Sequence, residues 1–112
     1  MNDVISVVDK QLIAYNERDY ETFASCYCKD ICSYDLATQR LNSEMSGIHF
    51  FRHYKNKFME NPNIHCEVIK RILHGNLVVD YEIISDYRNC QFKDLVIYQI
   101  DGERISKMWF PS

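Results

Sequence analysis

The chain contains no run approaching the ~20 consecutive apolar residues that a membrane-spanning helix needs. It also lacks a basic stripe, and at a net charge of −3 it offers no surface for neutralising phosphates, so nucleic acid is not an expected partner. Arg52, Lys55 and Lys57 do cluster, but they alternate with core-type aromatics and read as one solvated helix face. The opening Met1-Asn2-Asp3 has neither the basic region nor the apolar stretch of a signal peptide, which makes cytoplasmic residence the expectation. Cys26, Cys28, Cys32, Cys66 and Cys90 are then expected as reduced thiols, and an odd number leaves one unpaired in any disulfide scheme. Repeats, linkers and low-complexity segments are missing too, so residues 1–112 read as a single domain, large enough to bury one core.

What is present is an ordinary globular balance, 46% hydrophobic and 26% charged, with an aromatic surplus of eight Tyr and six Phe. Tyrosine puts a polar tip on an apolar body, so a tyrosine-rich interior either fills a core or lines a half-polar pocket. Val4, Val8, Leu12 and Tyr15 recur at helical spacing, with Ile5 and Gln11 adjoining and Asn2 or Asp3 as cap. Asp19 caps a second, shorter helix whose buried side is Tyr20, Phe23, Ala24 and Tyr27. The short apolar run Ile31 to Leu36 reads as a strand and carries an acid, Asp35, where an ionised carboxylate is costly unless paired or functional. A third helix is expected over Ile48 to Glu60, with Ile48, Phe51, Tyr54 and Phe58 inward, stopped by Asn61-Pro62.

From Ile64 the period changes to two. Turns at Gly75-Asn76, Arg88-Asn89 and Asp101-Gly102 separate four long antiparallel strands. Three helices, the short strand and these four strands define an α+β domain. Counting from the turns places Arg71 opposite Asp80, Val79 opposite Tyr98, Tyr81 opposite Val96 and Ile83 opposite Asp94. One face then carries Val68, Ile72, Val79, Tyr81, Ile83, Phe92, Val96, Tyr98 and Ile100, with Lys70 and Asp94 as polar exceptions, and meets the helices. The other carries His65, Glu67, Arg71, Asp80 and Glu82 among Ile69, Leu73, Val78, Leu95 and Ile97. On that outer face Arg71–Asp80 is a cross-strand ion pair, facing solvent or a partner subunit.

Ala14 to Asp19, Phe23, Tyr27, Asp30, Tyr34-Asp35, Gly47, Tyr54, Phe58, Asn61-Pro62, the Gly75-Asn76 hairpin, and Ile97-Tyr98 through Gly102 to Trp109-Phe110 together resemble the nuclear transport factor 2-like superfamily. The likeness is to its ketosteroid isomerase and polyketide-cyclase-like (SnoaL-like) branches, and it spans essentially the whole chain. The resemblance implies a cone: a strongly curved, mainly antiparallel sheet wrapped around three helices in the N-terminal half, with an apolar pocket open at one end. In the isomerase branch an Asp on the first strand shuttles a proton while a Tyr and a protonated Asp bond the substrate oxygen. Carried over by position, the shuttle falls on Asp35, the tyrosine position on Gln11 and the second acid on Val96. Gln11 keeps one amide donor and Val96 none, and losing such a donor removes a few kcal/mol of transition-state stabilisation, which argues against ketosteroid isomerisation itself.

The resulting expectation is a pocket for a small apolar molecule, walled by Gln11, Tyr15, Tyr54, Phe58, Tyr81, Asp94, Val96 and Tyr98. Asp35 is the expected general base of a cofactor-independent isomerase or cyclase acting on a carbonyl compound. Two alternatives share the fold: a non-catalytic binder of an apolar ligand, and a dimeric interaction domain whose cone is filled by side chains. Asp94 has Lys70 as an alternative partner. His49 and His53 lie four apart but off the inward face with no acid to complete a set, so no metal is expected. The resemblance implies a homodimer through the outer sheet face.

Overall fold

A computed structural model describes residues 4–111. Helix α1 spans Val4–Glu17, α2 Tyr20–Ser25 and α3 Ile48–Glu60; the strands are β1 Tyr27–Asp35, β2 His65–His74, β3 Leu77–Tyr87, β4 Cys90–Asp101 and β5 Arg104–Phe110. They form one sheet in the order β1-β5-β4-β3-β2, antiparallel except where β1 pairs parallel to β5. The expected cap at Asn2 or Asp3 lies outside the described residues. The Asp19 cap forms as the spacing predicts, its Oδ1 accepting from Thr22 N at 3.2 Å. Helix α3 begins at Gly47, whose φ of +56° suits glycine and whose N–H reaches back to the Ile31 carbonyl at 2.8 Å.

Apolar side chains from all three helices meet the concave face of the sheet. Val8, Ala14 and Tyr15 of α1 and Phe23 of α2 close over Tyr27, Ile31, Val78, Ile84, Val96, Tyr98, Ile100 and Met108. On α3 the inward row is Phe50, Tyr54 and Phe58, spaced by four. Ile48, expected inward, is instead 60% exposed. Phe23 sits at the centre of the cone, with Tyr27, Tyr54 and Phe58 at ring-centroid distances of 4.9, 4.9 and 5.2 Å. Edge-on and tilted contacts of this kind add to the stabilisation that burial alone provides.

The turns form where the sequence places them, within one residue: His74 pairs with Leu77, Tyr87 with Cys90 and Asp101 with Arg104. Arg88 and Asn89 take φ of +52° and +62°, the twist that a two-residue hairpin wants. Away from the turns the register changes. Ile69 is an extra residue in β2, and β3 carries another between Ile84 and Tyr87, where Asp86 has φ +57°. Because side chains alternate with period two, one inserted residue reverses every side chain beyond it. Asp80 therefore lies opposite Val96, Tyr81 opposite Leu95 and Glu82 opposite Asp94.

The face assignment of β3 is thus the reverse of the expectation. Val78, Asp80, Glu82 and Ile84 turn inward; Val79, Tyr81 and Ile83 turn outward with Ile72 of β2. Arg71 does face Asp80, but inside the cone and beneath α1. Its Nε and Nη2 donate to the two Asp80 carboxylate oxygens at 2.6 and 2.9 Å, and Nη1 donates to Asp9 Oδ1 at 2.6 Å. Asp80 is 1% exposed and Asp9 48%. Removing one partner of a buried pair leaves an uncompensated charge, so Arg71→Met should cost ~3–5 kcal/mol in urea unfolding. Asp9→Asn, at the wet end of the same cluster, should cost less than ~1 kcal/mol in that assay.

Candidate functional site

Reversal of β3 fills the cone with polar groups. The narrow cavity between helices and sheet measures about 40 Å³, and its walls include Gln11, Tyr15, Tyr54, Lys57, Cys66, Glu82, Asp94, Val96 and Tyr98. That is room for roughly three water molecules, or for a compound of about three carbons in their place. Of the expected wall residues, Gln11, Tyr15, Tyr54, Asp94, Val96 and Tyr98 line it. Phe58 belongs to the aromatic core beside Phe23, and Tyr81 is on the outer face, 38% exposed.

Asp35 is not among the lining residues. It ends β1, half-buried, and its Oδ1 accepts from Thr38 N at 2.8 Å and Thr38 Oγ1 at 3.2 Å. Backbone bonds from Asp35 N to the Arg40 carbonyl and from Gln39 N to the Asp35 carbonyl close the same turn. A short acid accepting from the residues just ahead of it is a turn-forming arrangement. Gln11 is buried and doubly engaged: Tyr27 Oη donates to its Oε1 at 2.8 Å, and its Nε2 donates to Tyr98 Oη at 3.3 Å.

Three groups missed by the sequence reading complete the site. Glu82 is 5% exposed and sits directly across the strands from Asp94. Burial drives its carboxyl up to about 7, helped by the charges of Asp80 and Asp94 and opposed by a hydrogen bond from the Cys66 thiol and by Lys57. Asp94 is likewise raised, chiefly by burial, while its bond from Leu95 N (2.9 Å) pulls the other way. Cys66 is held by Asn16, which bonds both its N–H (2.7 Å) and its carbonyl (3.0 Å); burial raises the thiol well above its ordinary value.

Lys57 is the third. It leaves the solvated face expected for it because it lies three residues beyond Tyr54 and so shares that residue's side of α3. Its Nζ stands 4.9, 5.1 and 5.5 Å from the ring centroids of Tyr87, Tyr54 and Tyr15. Burial lowers its pKa, against the pull of Asp94 and Glu82. Tyr87 is placed by Asn61, whose Oδ1 accepts from Arg88 N at 2.8 Å and so ties the β3–β4 turn to the end of α3. The Tyr15 hydroxyl is buried and has no hydrogen-bond partner, a donor left over inside the cavity wall. Among the described residues no cluster of His, Cys, Asp and Glu is arranged to hold a metal. A carboxyl that titrates near neutrality, an amine and an unused hydroxyl together are equipped for proton transfer.

No family model matches the chain, and no curated protein matches it. Solved structures do. An uncharacterised cystatin-fold protein from Novosphingobium aromaticivorans superposes with a TM-score of 0.83 at 18% identity, covering 100% of both chains. A protein from Kribbella flavida proposed to be a ketosteroid isomerase gives 0.74 at 15% identity, covering 97% of this chain and 78% of its own. IdmH of Streptomyces antibioticus, proposed to be a polyketide cyclase, gives 0.75 at 13%, covering 97% and 91%. The chain therefore has the nuclear transport factor 2-like, or cystatin-like, cone fold, the α+β architecture that the sequence resemblance implies. This is the fold of proteins described as isomerases and cyclases.

Glu82 leaves a thermodynamic trace. Its ordinary value is 4.5, and in the fold it is about 7. Below 4.5 folded and unfolded chains both hold the proton; between 4.5 and about 7 the folded chain holds one more, so stability falls as pH rises across that window and levels off above it. A difference of that size corresponds to roughly 3 kcal/mol. Urea titrations at pH 5 and pH 8 should show this loss in the wild type, and Glu82→Gln should remove most of it.

Proposed function

We propose that this protein is a cofactor-independent proton-transfer enzyme acting on a small carbonyl compound, with Glu82 as its general base. The observation that carries the reading is a buried carboxyl, poised near neutral pH, in the wall of a cavity that also holds Lys57 and the unpartnered Tyr15 hydroxyl. Glu82 would remove a proton α to the carbonyl and return it elsewhere, giving isomerisation or aldol-type closure. The enolate oxygen would be stabilised by the Lys57 ammonium and the Tyr15 hydroxyl, which stand in for the donor missing at Val96 and for the Gln11 amide already bonded to Tyr98. Likeness to the proteins proposed as ketosteroid isomerase and polyketide cyclase supports proton chemistry in such a cone. The cavity of about 40 Å³ favours a substrate far smaller than a steroid. In this reading Asp35 shapes the β1 turn.

The test is exchange of α-protons for deuterium in a panel of three- and four-carbon ketones and aldehydes, followed by proton NMR. Glu82→Gln should lower the exchange rate ~10²–10⁴-fold, the usual range for a general base. Asp35→Asn should leave it unchanged. Loss of exchange in Asp35→Asn with retention in Glu82→Gln would return the role to Asp35.

A second reading, an interaction domain with a filled cone, is favoured by the same small volume and by the outer face. Ile72, Val79, Ile97, Trp109 and Tyr34 form one continuous apolar row across all five strands, with Trp109 stacked on Tyr34 at 5.6 Å. Tyr81 and Leu95 are paired on the same face. We propose that this row is buried in a homodimer. Sedimentation should give a dimer for the wild type and a folded monomer for the double variant Ile72→Glu, Ile97→Glu. Monomeric wild type at micromolar concentration would exclude it.

A further inference from the structure

Lys57 is more than a charge at the cavity. Resting on the reading of Glu82 as a base toward carbonyl compounds, we propose that Lys57 is a nucleophile that forms a covalent iminium with the carbonyl carbon of a small aldehyde or ketone. Three features point there together. Lys57 lines the cavity, and its amine is flanked by the rings of Tyr15, Tyr54 and Tyr87, which shield part of it from water. Glu82 lines the same cavity, Asp94 lies directly across from it, and both carboxylates act electrostatically on the amine. The remaining space of about 40 Å³ suits a substrate of about three carbons next to the amine.

The chemistry balances within the site. The Glu82 carboxylate takes one proton from the Lys57 ammonium, leaving a neutral amine and a neutral acid. The amine lone pair forms a C–N bond to the carbonyl carbon as the C=O π pair moves to oxygen; the new nitrogen carries the excess proton, which passes to that oxygen and gives a carbinolamine. Glu82 then gives its proton to the carbinolamine hydroxyl, the C–O bond breaks, water leaves and a C=N⁺ iminium forms. In sum a carbonyl and an ammonium become an iminium and water, with one positive charge on each side. The iminium withdraws electrons from the adjacent carbon far better than the neutral carbonyl, and the Glu82 carboxylate regenerated in the last step can remove the α-proton to leave an enamine. Burial of Lys57, which shifts it toward the neutral amine, works in the same direction.

The experiment is reductive trapping of the wild-type protein with acetone and sodium cyanoborohydride at pH 7, with the modified lysines located by peptide mass spectrometry. An isopropyl group should appear on Lys57 at least ~10-fold faster than on Lys55, two residues away and exposed on the same helix. Glu82→Gln should slow trapping at Lys57 and leave Lys55 unaffected. Equal or slower alkylation of Lys57 would overturn the proposal, and because the comparison is internal to the wild type, no variant need fold. Acetone α-proton exchange, followed in parallel, separates the two readings. Exchange that depends on Glu82 without preferential trapping would leave Glu82 as base and Lys57 as a mere charge. Absence of both would remove both.

Discussion

Two extra residues decide what this cone contains. A regular β3, paired without interruption from the Arg88-Asn89 turn, would present Val79, Tyr81 and Ile83 to the helices and leave Asp80 and Glu82 in water. The bulge near Asp86 reverses that choice and carries Arg71 inward with Asp80 through their hairpin register, while the bulge at Ile69 turns Cys66 in opposite Ile84. Period-two alternation makes the change all-or-none along the strand. Glu82 opposite Asp94, Cys66 against Glu82 and the ion pair under α1 all follow from it. So does the apolar row on the outer face, since the residues displaced from the interior must appear there.

Placing carboxylates in an aromatic interior is expensive, and the two on β3 are handled differently. Asp80 receives a bidentate guanidinium, with Asp9 sharing the surplus charge at the edge of the cluster. A planar fork of donors matched to a carboxylate is the arrangement that best offsets desolvation. Glu82 is given a thiol and a more distant ammonium, neither of which offsets the burial, and it responds by holding its proton. One acid stays charged because it is paired; its neighbour two residues on is raised toward neutrality because it is not. The surrounding rings of Tyr15, Phe23, Tyr54 and Phe58 supply the packing that tolerates this cost.

Much of the architecture was legible in the chain because it is written in local signals. Helical spacing located α1, α2 and α3, Asp19 marked a cap, Asn61-Pro62 a stop, and the glycine and asparagine turns gave the hairpins and the Arg71–Asp80 pairing. The site was less legible. A β-bulge has no reliable signature in residues such as Val68-Ile69-Lys70 or Ser85-Asp86-Tyr87, and missing the second misassigned Tyr81 and Glu82 together. Lys57 was grouped with Arg52 and Lys55 by charge, although its helical distance from Tyr54 placed it on the other side. Asp35 drew attention as an acid within an apolar strand, but it stands at the strand's end, where an acid that bonds Thr38 serves the turn. The wall residues Gln11, Tyr15, Tyr54, Asp94, Val96 and Tyr98 were found because neither α1, α3 nor β4 depended on the reversed strand.

Everything proposed for the cavity depends on β3 turning Glu82 into the cone, where burial holds its carboxyl near neutrality. Carbon-13 NMR of the glutamate side-chain carboxyls, titrated from pH 3 to pH 9 and assigned with Glu82→Gln, tests both parts at once. The predicted result is one glutamate, absent from the variant, that titrates near 7. A Glu82 signal titrating at the ordinary 4.5 would place the side chain in water, and with it the register, the cavity chemistry and the proposed reaction would all be wrong.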